Sequence, residues 1–162
     1  MVDINEVAAN IYLIDNLLYA IPGMGSVYLI NEDKKAIVDV GPSTSVPTVL
    51  EGIRRFGVVP AAIDYIIVTH IHLDHGGGTG LILQDMPRAK VVIHQKGTWH
   101  MANPARLVRG MREAQGEKYF SKCGAVTPVP ASRIQAVGEG DTIELGDRQV
   151  LRFMDAPGHA PH

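Results

Sequence analysis

Thr69-His70-Ile71-His72-Leu73-Asp74-His75-Gly76-Gly77-Gly78 is the stretch from which the rest of the chain is read. Three of the seven histidines and one carboxylate fall within six residues, directly after the apolar run Tyr65-Ile66-Ile67-Val68, which reads as a buried strand. Side chains two apart in extended chain point the same way, so His70 and His72 can grip one cation from the strand end. Asp74 and His75 are adjacent and suit a second cation if the backbone turns there. The three glycines permit positive φ and close approach of main chain to a metal cluster. Neutral imidazoles with one carboxylate suit zinc or iron. A single histidine is usually a hydrogen-bonded surface or loop residue, but four donors at this spacing, at a strand's carboxyl end, read as a two-metal site.

Two further stretches belong with it. Ala36-Ile37-Val38-Asp39-Val40-Gly41 is a strand ending in Asp-x-Gly, and Asp155-Ala156-Pro157-Gly158-His159 is a turn carrying an imidazole. Together, Thr69-His70-Ile71-His72-Leu73-Asp74-His75 and these two segments resemble the HxHxDH signature, early acidic strand and Pro-Gly-His turn of the metallo-β-lactamase superfamily. That superfamily includes thioesterases, lactonases, phosphodiesterases and iron-dependent relatives.

The resemblance implies an α/β (α+β) fold, the αββα sandwich of that family, of which residues 1–162 are expected to form about the N-terminal half. It implies that His70, His72 and His159 hold a first metal while Asp74 and His75 contribute to a second. Asp74 would also orient the attacking water as the catalytic carboxylate. Asp39 would accept a hydrogen bond from a ligand imidazole, fixing its tautomer; the alternative is a turn-capping Asp before Gly41. One or two zinc ions are expected, with iron or manganese possible, and a metal lowers the pKa of its water to about 7. The family's bridging Asp and last metal-binding His are expected beyond residue 162, with His162 at a family glycine position and inheriting no role. With those ligands lacking, the 162 residues alone are expected to have little hydrolase activity.

The implied function is a metal-dependent hydrolase acting on a small ester, thioester, lactone or phosphoester. The alternatives are an iron-dependent oxidoreductase of the same superfamily, persulfide-dioxygenase-like, or a catalytically incomplete fragment. A length of 162 residues fits one domain or part of one, and 46% hydrophobic residues supply a sizeable core. A net charge of −2 gives no footprint for nucleic acid or membrane surface, and no apolar run reaches spanning length. A single cysteine, Cys123, excludes an internal disulfide framework and fits a reducing compartment. With no signal peptide visible at Met1-Val2-Asp3-Ile4-Asn5-Glu6, a cytoplasmic location is expected.

Outside the ligand loop, residues 10–14, 26–30 and 35–39 read as a β-meander. Val46, Val49, Leu50 and Ile53 recur at i, i+3, i+4 and i+7, with Ser43 and Ser45 as cap candidates and Gly57 as the stop. A helix around Leu81-Ile82-Leu83, a strand at 91–94, and strands at 133–137, 142–145 and 149–154, the last two a hairpin, complete the reading. The apolar loop at 16–25 reads either as a substrate-facing flap or as packing under the sheet. In 97–125, Leu107, Val108 and Met111 at helical spacing predict an amphipathic surface helix, while Trp99, His100, Met101, Tyr119 and Phe120 are candidates for a cleft wall. A half-domain would leave a sheet face built from Ile11, Leu13, Val27, Leu29, Ile37 and Ile67 in water, so the expected partners are a small-molecule substrate and either the missing C-terminal half or a second copy of the chain.

Overall fold

The computed structural model describes residues 4–147 and 149–160; His162 lies outside the described residues. Strands β1 (Ile4–Ala8), β2 (Ile11–Asp15), β3 (Ser26–Asn31) and β4 (Lys35–Val38) form the antiparallel meander, and β5 (Ile63–Val68), β6 (Lys90–His94) and β7 (Ile134–Val137) add to it in parallel. The seven lie in sequence order across one sheet. Parallel neighbours need long crossovers, and each carries helix: α1 (Val46–Arg55), then α2 (Leu73–Gly76) and α3 (Thr79–Ile82), then α4 (Thr98–Ala102), α5 (Ala105–Gln115) and α6 (Glu117–Cys123). Strands β8 (Thr142–Gly146) and β9 (Gln149–Arg152) form a separate antiparallel sheet, as the hairpin reading predicts.

Side chains alternate across the sheet, and both faces are partly covered. On one, Ile14, Val27, Leu29, Ile37 and Ile66 pack against Val46, Val49, Leu50 and Ile53 of α1 and against Ile82 and Met86. Burying each such side chain contributes about 2 kcal/mol, so the i, i+3, i+4, i+7 stripe is what fastens α1 to the sheet. On the other face Ile30, Ala36, Ile67, Val92 and Val137 pack against Ile143 and Leu145 of the small sheet. The expectation of one unpartnered face holding Val27, Leu29 and Ile37 together with Ile67 is therefore corrected. The first three lie under helices, and only Ile11, Leu13 and Ile67 belong to the opposite side.

Three further expectations change. Neither Ser43 nor Ser45 caps α1 through its side chain; Ser43 Oγ instead reaches the carbonyls of Gly77 (3.2 Å) and Ala125 (2.5 Å), tying the ligand loop to its neighbours. None of Gly76, Gly77 and Gly78 has positive φ. Gly78 is small because a Cβ there would sit 2.8 Å from Val46 Cγ2 and 3.0 Å from Pro42 O, which makes it a packing requirement between loop and α1. The amphipathic segment after residue 97 is three helices, because Asn103-Pro104 and Gly116, at φ 81°, interrupt it. Among the described residues no helix is long and apolar enough to cross a membrane.

Candidate metal centre

The ligand loop leaves β5 at its carboxyl end and turns at once into α2, so the backbone does turn between His72 and His75. It is laced to the end of β4: Val40 N and Gly41 N donate to His75 O (2.9 and 2.8 Å), and Gly78 N donates to Gly41 O (2.8 Å). From the other side, Leu73 is fully buried against Phe120 and Cys123 of α6, with Leu107, Val108 and Met111 of α5 packed around them. The loop is thus clamped between the sheet and the helical insertion, which holds its side chains in place before any ligand arrives.

His70, His72 and His159 converge. One ring nitrogen from each lies within 4.8 Å of the others, and among the described residues no other group of three or more His, Cys, Asp or Glu closes in this way. His72 Nδ1 stands 2.9 Å from His159 Nε2, and the His70 ring centroid is 4.8 Å from that of His72 and 5.2 Å from that of His159. His70 Nε2 is buried without a hydrogen-bond partner, a costly state for a polar atom unless something else satisfies it. Burial, followed by the neighbouring His75 and His72, pushes His70 down to a pKa of about 4. Burial and His159 lower His72 as well. Both rings are therefore neutral at physiological pH, the form that binds a metal, and the donor set fits a divalent cation.

His75 and Asp74 lie beside His70. The His75 ring centroid is 4.2 Å from that of His70, and His75 Nε2 is 3.7 Å from Asp74 Oδ2. His75 Nδ1 meets Asp39 Oδ2 at 2.8 Å, a hydrogen bond that raises the histidine's pKa. Asp39 is 8% exposed and sits at φ 61°, a left-handed conformation costing a non-glycine residue about 1–2 kcal/mol. Its carboxylate offsets this by also accepting from Thr69 N (2.9 Å) and Thr69 Oγ1 (2.9 Å), and Thr69 Oγ1 is in turn 3.1 Å from His70 Nδ1. One buried carboxylate thus orients both the loop and two of its imidazoles.

Several contributors have no local signature. His94, at the end of β6, is 3.3 Å from Asp155 Oδ1, and Glu139 Oε2 accepts from Asp155 N at 2.6 Å; the two steady the segment that delivers His159. Tyr19 and Tyr119 share a hydroxyl contact of 2.5 Å. Of the cleft-wall candidates, Met101 and Phe120 are core residues, Trp99 is half exposed with the His100 ring 5.2 Å away, and Tyr119 packs in the cluster that holds Leu73. The loop at 16–25 packs through buried Leu18, and its Tyr19 contacts Tyr119. A cavity of about 410 Å³ opens beside Thr69, bounded by His94, Val137, Phe153 and Asp155.

A family model described as the metallo-beta-lactamase superfamily matches residues 20–162. Over 132 residues the chain is 25% identical to the flavo-diiron protein FprA2 of Clostridium acetobutylicum, covering 82% of this chain and 27% of that protein. Over 145 residues it is 26% identical to a metallo-beta-lactamase fold-containing protein of Sulfurisphaera tokodaii, covering 87% and 52%. The subclass B3 metallo-beta-lactamase BJP-1 of Bradyrhizobium japonicum superposes with a TM-score of 0.74 at 26% identity, covering 98% of this chain and 53% of that one. The chain spans about half, or less, of the length of these relatives.

Proposed function

Because this chain belongs to the metallo-beta-lactamase superfamily, we propose that it carries the histidine-rich part of a metal-dependent hydrolase for a small ester, thioester, lactone or phosphoester. The observation that carries the reading is the convergence of His70, His72 and His159, with His70 Nε2 buried and unpartnered. These three imidazoles would hold the first ion, zinc by preference for its tetrahedral affinity for nitrogen. Asp74 and His75 would contribute to a second. Bound there, the metal supplies Lewis acidity and brings a water's pKa near neutrality.

The chain's own residues then do the positioning. Asp39 takes a hydrogen bond from His75 Nδ1 and so presents Nε2 to the site. Asp74, whose side chain is 30% exposed, accepts a hydrogen bond from the attacking water and aims it at the carbonyl or phosphoryl centre. Thr69, fixed by Asp39, holds His70 from behind.

A second reading is favoured by one finding: a relative is named a flavo-diiron protein, and the same imidazole and carboxylate set suits iron. An iron-dependent oxidoreductase is therefore the alternative. Metal analysis of protein purified without added metal, joined to a screen of thioester, lactone and phosphodiester substrates on the whole gene product, separates the two. Zinc with hydrolysis supports the hydrolase, and iron with no hydrolysis supports the oxidoreductase. Absence of any metal that depends on His70 overturns both.

A further inference from the structure

Leu17, Tyr19 and Ala20 have φ of 50°, 56° and 62°, three left-handed non-glycine residues within four positions, a conformation that side chains disfavour. The turn is held by Asp15, whose carboxylate accepts from Leu17 N (3.0 Å) and Gly23 N (2.8 Å), and by buried Leu18 in their midst. The same three left-handed residues form one wall of a cavity of about 350 Å³, and Thr44 and Thr48 at the start of α1 with Lys122 of α6 complete its lining. Backbone held against its preference points to a function for what it positions, and here it builds a cavity wall.

The walls are tied to one another. Thr44 Oγ1 donates to the carbonyl of Lys122 (2.8 Å), which fixes the last turn of α6 against the start of α1. Lys122 Nζ lies over the Tyr19 ring, 5.7 Å from its centroid, and the Tyr19 hydroxyl is engaged by Tyr119 at 2.5 Å. None of the ion pairs among the described residues includes Lys122, and an aromatic face leaves an ammonium with N–H donors for a ligand. The insertion that carries it is basic, with five Lys and Arg against two Glu in residues 97–125 of a chain whose net charge is −2; such a local field draws anions. The rest of the lining is the apolar Leu17 and Ala20, the Tyr19 ring and the two threonines. One point charge beside apolar walls, with no Arg fork, matches a monoanion with a short apolar body better than a phosphate dianion.

We propose that this cavity binds a small carboxylate with a short hydrocarbon tail, the carboxylate on Lys122 Nζ with the Thr48 hydroxyl as a second donor, and the tail against Leu17, Ala20 and the Tyr19 ring. The site stands apart from the metal centre, since none of His70, His72, Asp74, His75 and His159 lines it. The competing role, a lysine that merely packs on Tyr19 to fasten the loop, predicts no response to carboxylates.

In the test, amide resonances of the nitrogen-15-labelled chain are followed while acetate, butyrate, hexanoate, hexanamide or inorganic phosphate is added at constant pH and ionic strength. Hexanoate is expected to shift residues 17–20, 44–48 and 122, with each methylene that the cavity buries strengthening binding about fourfold. Neutral hexanamide is expected to bind about tenfold more weakly, for want of a charge-assisted hydrogen bond. Lys122→Gln should lose a similar factor for hexanoate, whereas Lys118→Gln, on the same helix but outside the lining, should bind like the parent. The comparison of hexanoate with hexanamide uses the parent chain alone and decides the matter if a substitution impairs folding. Equal binding of the acid and the amide, unmoved cavity resonances, or a folded Lys122→Gln chain that binds hexanoate like the parent overturns the proposal. Inorganic phosphate that binds there more tightly than hexanoate overturns the assignment to a carboxylate. Shifts confined to residues 70–75 and 159 would put the carboxylate at the metal centre and likewise overturn it.

Discussion

Asp39 occupies a disfavoured backbone conformation and is nearly buried, yet its carboxylate is fully engaged by Thr69 and His75. Asp39→Ala is therefore expected to lower zinc affinity about 10–100-fold by removing the Thr69 anchor behind His70, and to cost about 1–3 kcal/mol of stability by stranding the Thr69 N–H. Competition with a chromophoric chelator and a denaturant titration measure the two; unchanged zinc affinity would contradict the role given to Asp39. The imidazoles also predict a pH dependence. His70 has a folded pKa of about 4, below the ordinary 6.5, so the unfolded chain binds the extra proton. Stability contributed through His70 is present above pH 6.5 and is lost as pH falls towards 4. His75 is raised, so its contribution is full below pH 6.5 and is lost as pH rises through its folded pKa. In the metal-free chain, His70→Ala should flatten the acid side of a plot of melting temperature against pH, whereas His75→Ala should flatten the alkaline side. Identical profiles in the two variants would show the assignment to be wrong. The ligand loop was legible in sequence because its donors are neighbours whose spacing carries the signal. His94 and Glu139 were not legible as supports of the segment that delivers His159, since each gains its place only when distant elements meet.

At the level of elements, local periodicity was the reliable guide. Val46, Val49, Leu50 and Ile53 announce α1, and the β-branched and aromatic residues of 26–30 and 35–39 announce β3 and β4. Strand β1 has no such pattern in Ile4-Asn5-Glu6-Val7-Ala8 and exists through its pairing with β2, which is why sequence alone did not show it. The glycines make a sharper case, because their reasons are packing reasons. Gly80 in α3 would place a Cβ 2.0 Å from Thr127 O, and backbone cannot swing aside as a side chain can. Gly80→Ala is therefore expected to destabilise the chain by about 1–3 kcal/mol or more. Gly110 in α5 has nothing within 4 Å of such a Cβ, and Gly110→Ala should stabilise by up to about 1 kcal/mol through helix propensity. Denaturation midpoints of the two variants should move in opposite directions; movement in the same direction would contradict this account of the α3 packing.

For the whole molecule, one sheet face lies under the helices and the other is covered over part of its area by β8 and β9. Around that small sheet, Tyr28, Val150 and Met154 remain exposed at 39%, 57% and 71%. The proposed cover is the C-terminal half of a family domain or, without it, a second copy of this chain. Light scattering on the 162-residue chain is expected to show association at micromolar concentration, and a stable monomer that binds no dye for exposed apolar surface would count against it. The fold rests on the family match and the sheet topology, so the claim that most needs a direct test is the ion itself. Crystals of the chain grown with zinc, with anomalous data collected at the zinc and iron edges, provide it. The account predicts one strong peak about 2.0–2.1 Å from a ring nitrogen of each of His70, His72 and His159. A metal lying more than about 3 Å from His159, on a scale where a bond to zinc measures about 2 Å, would contradict it.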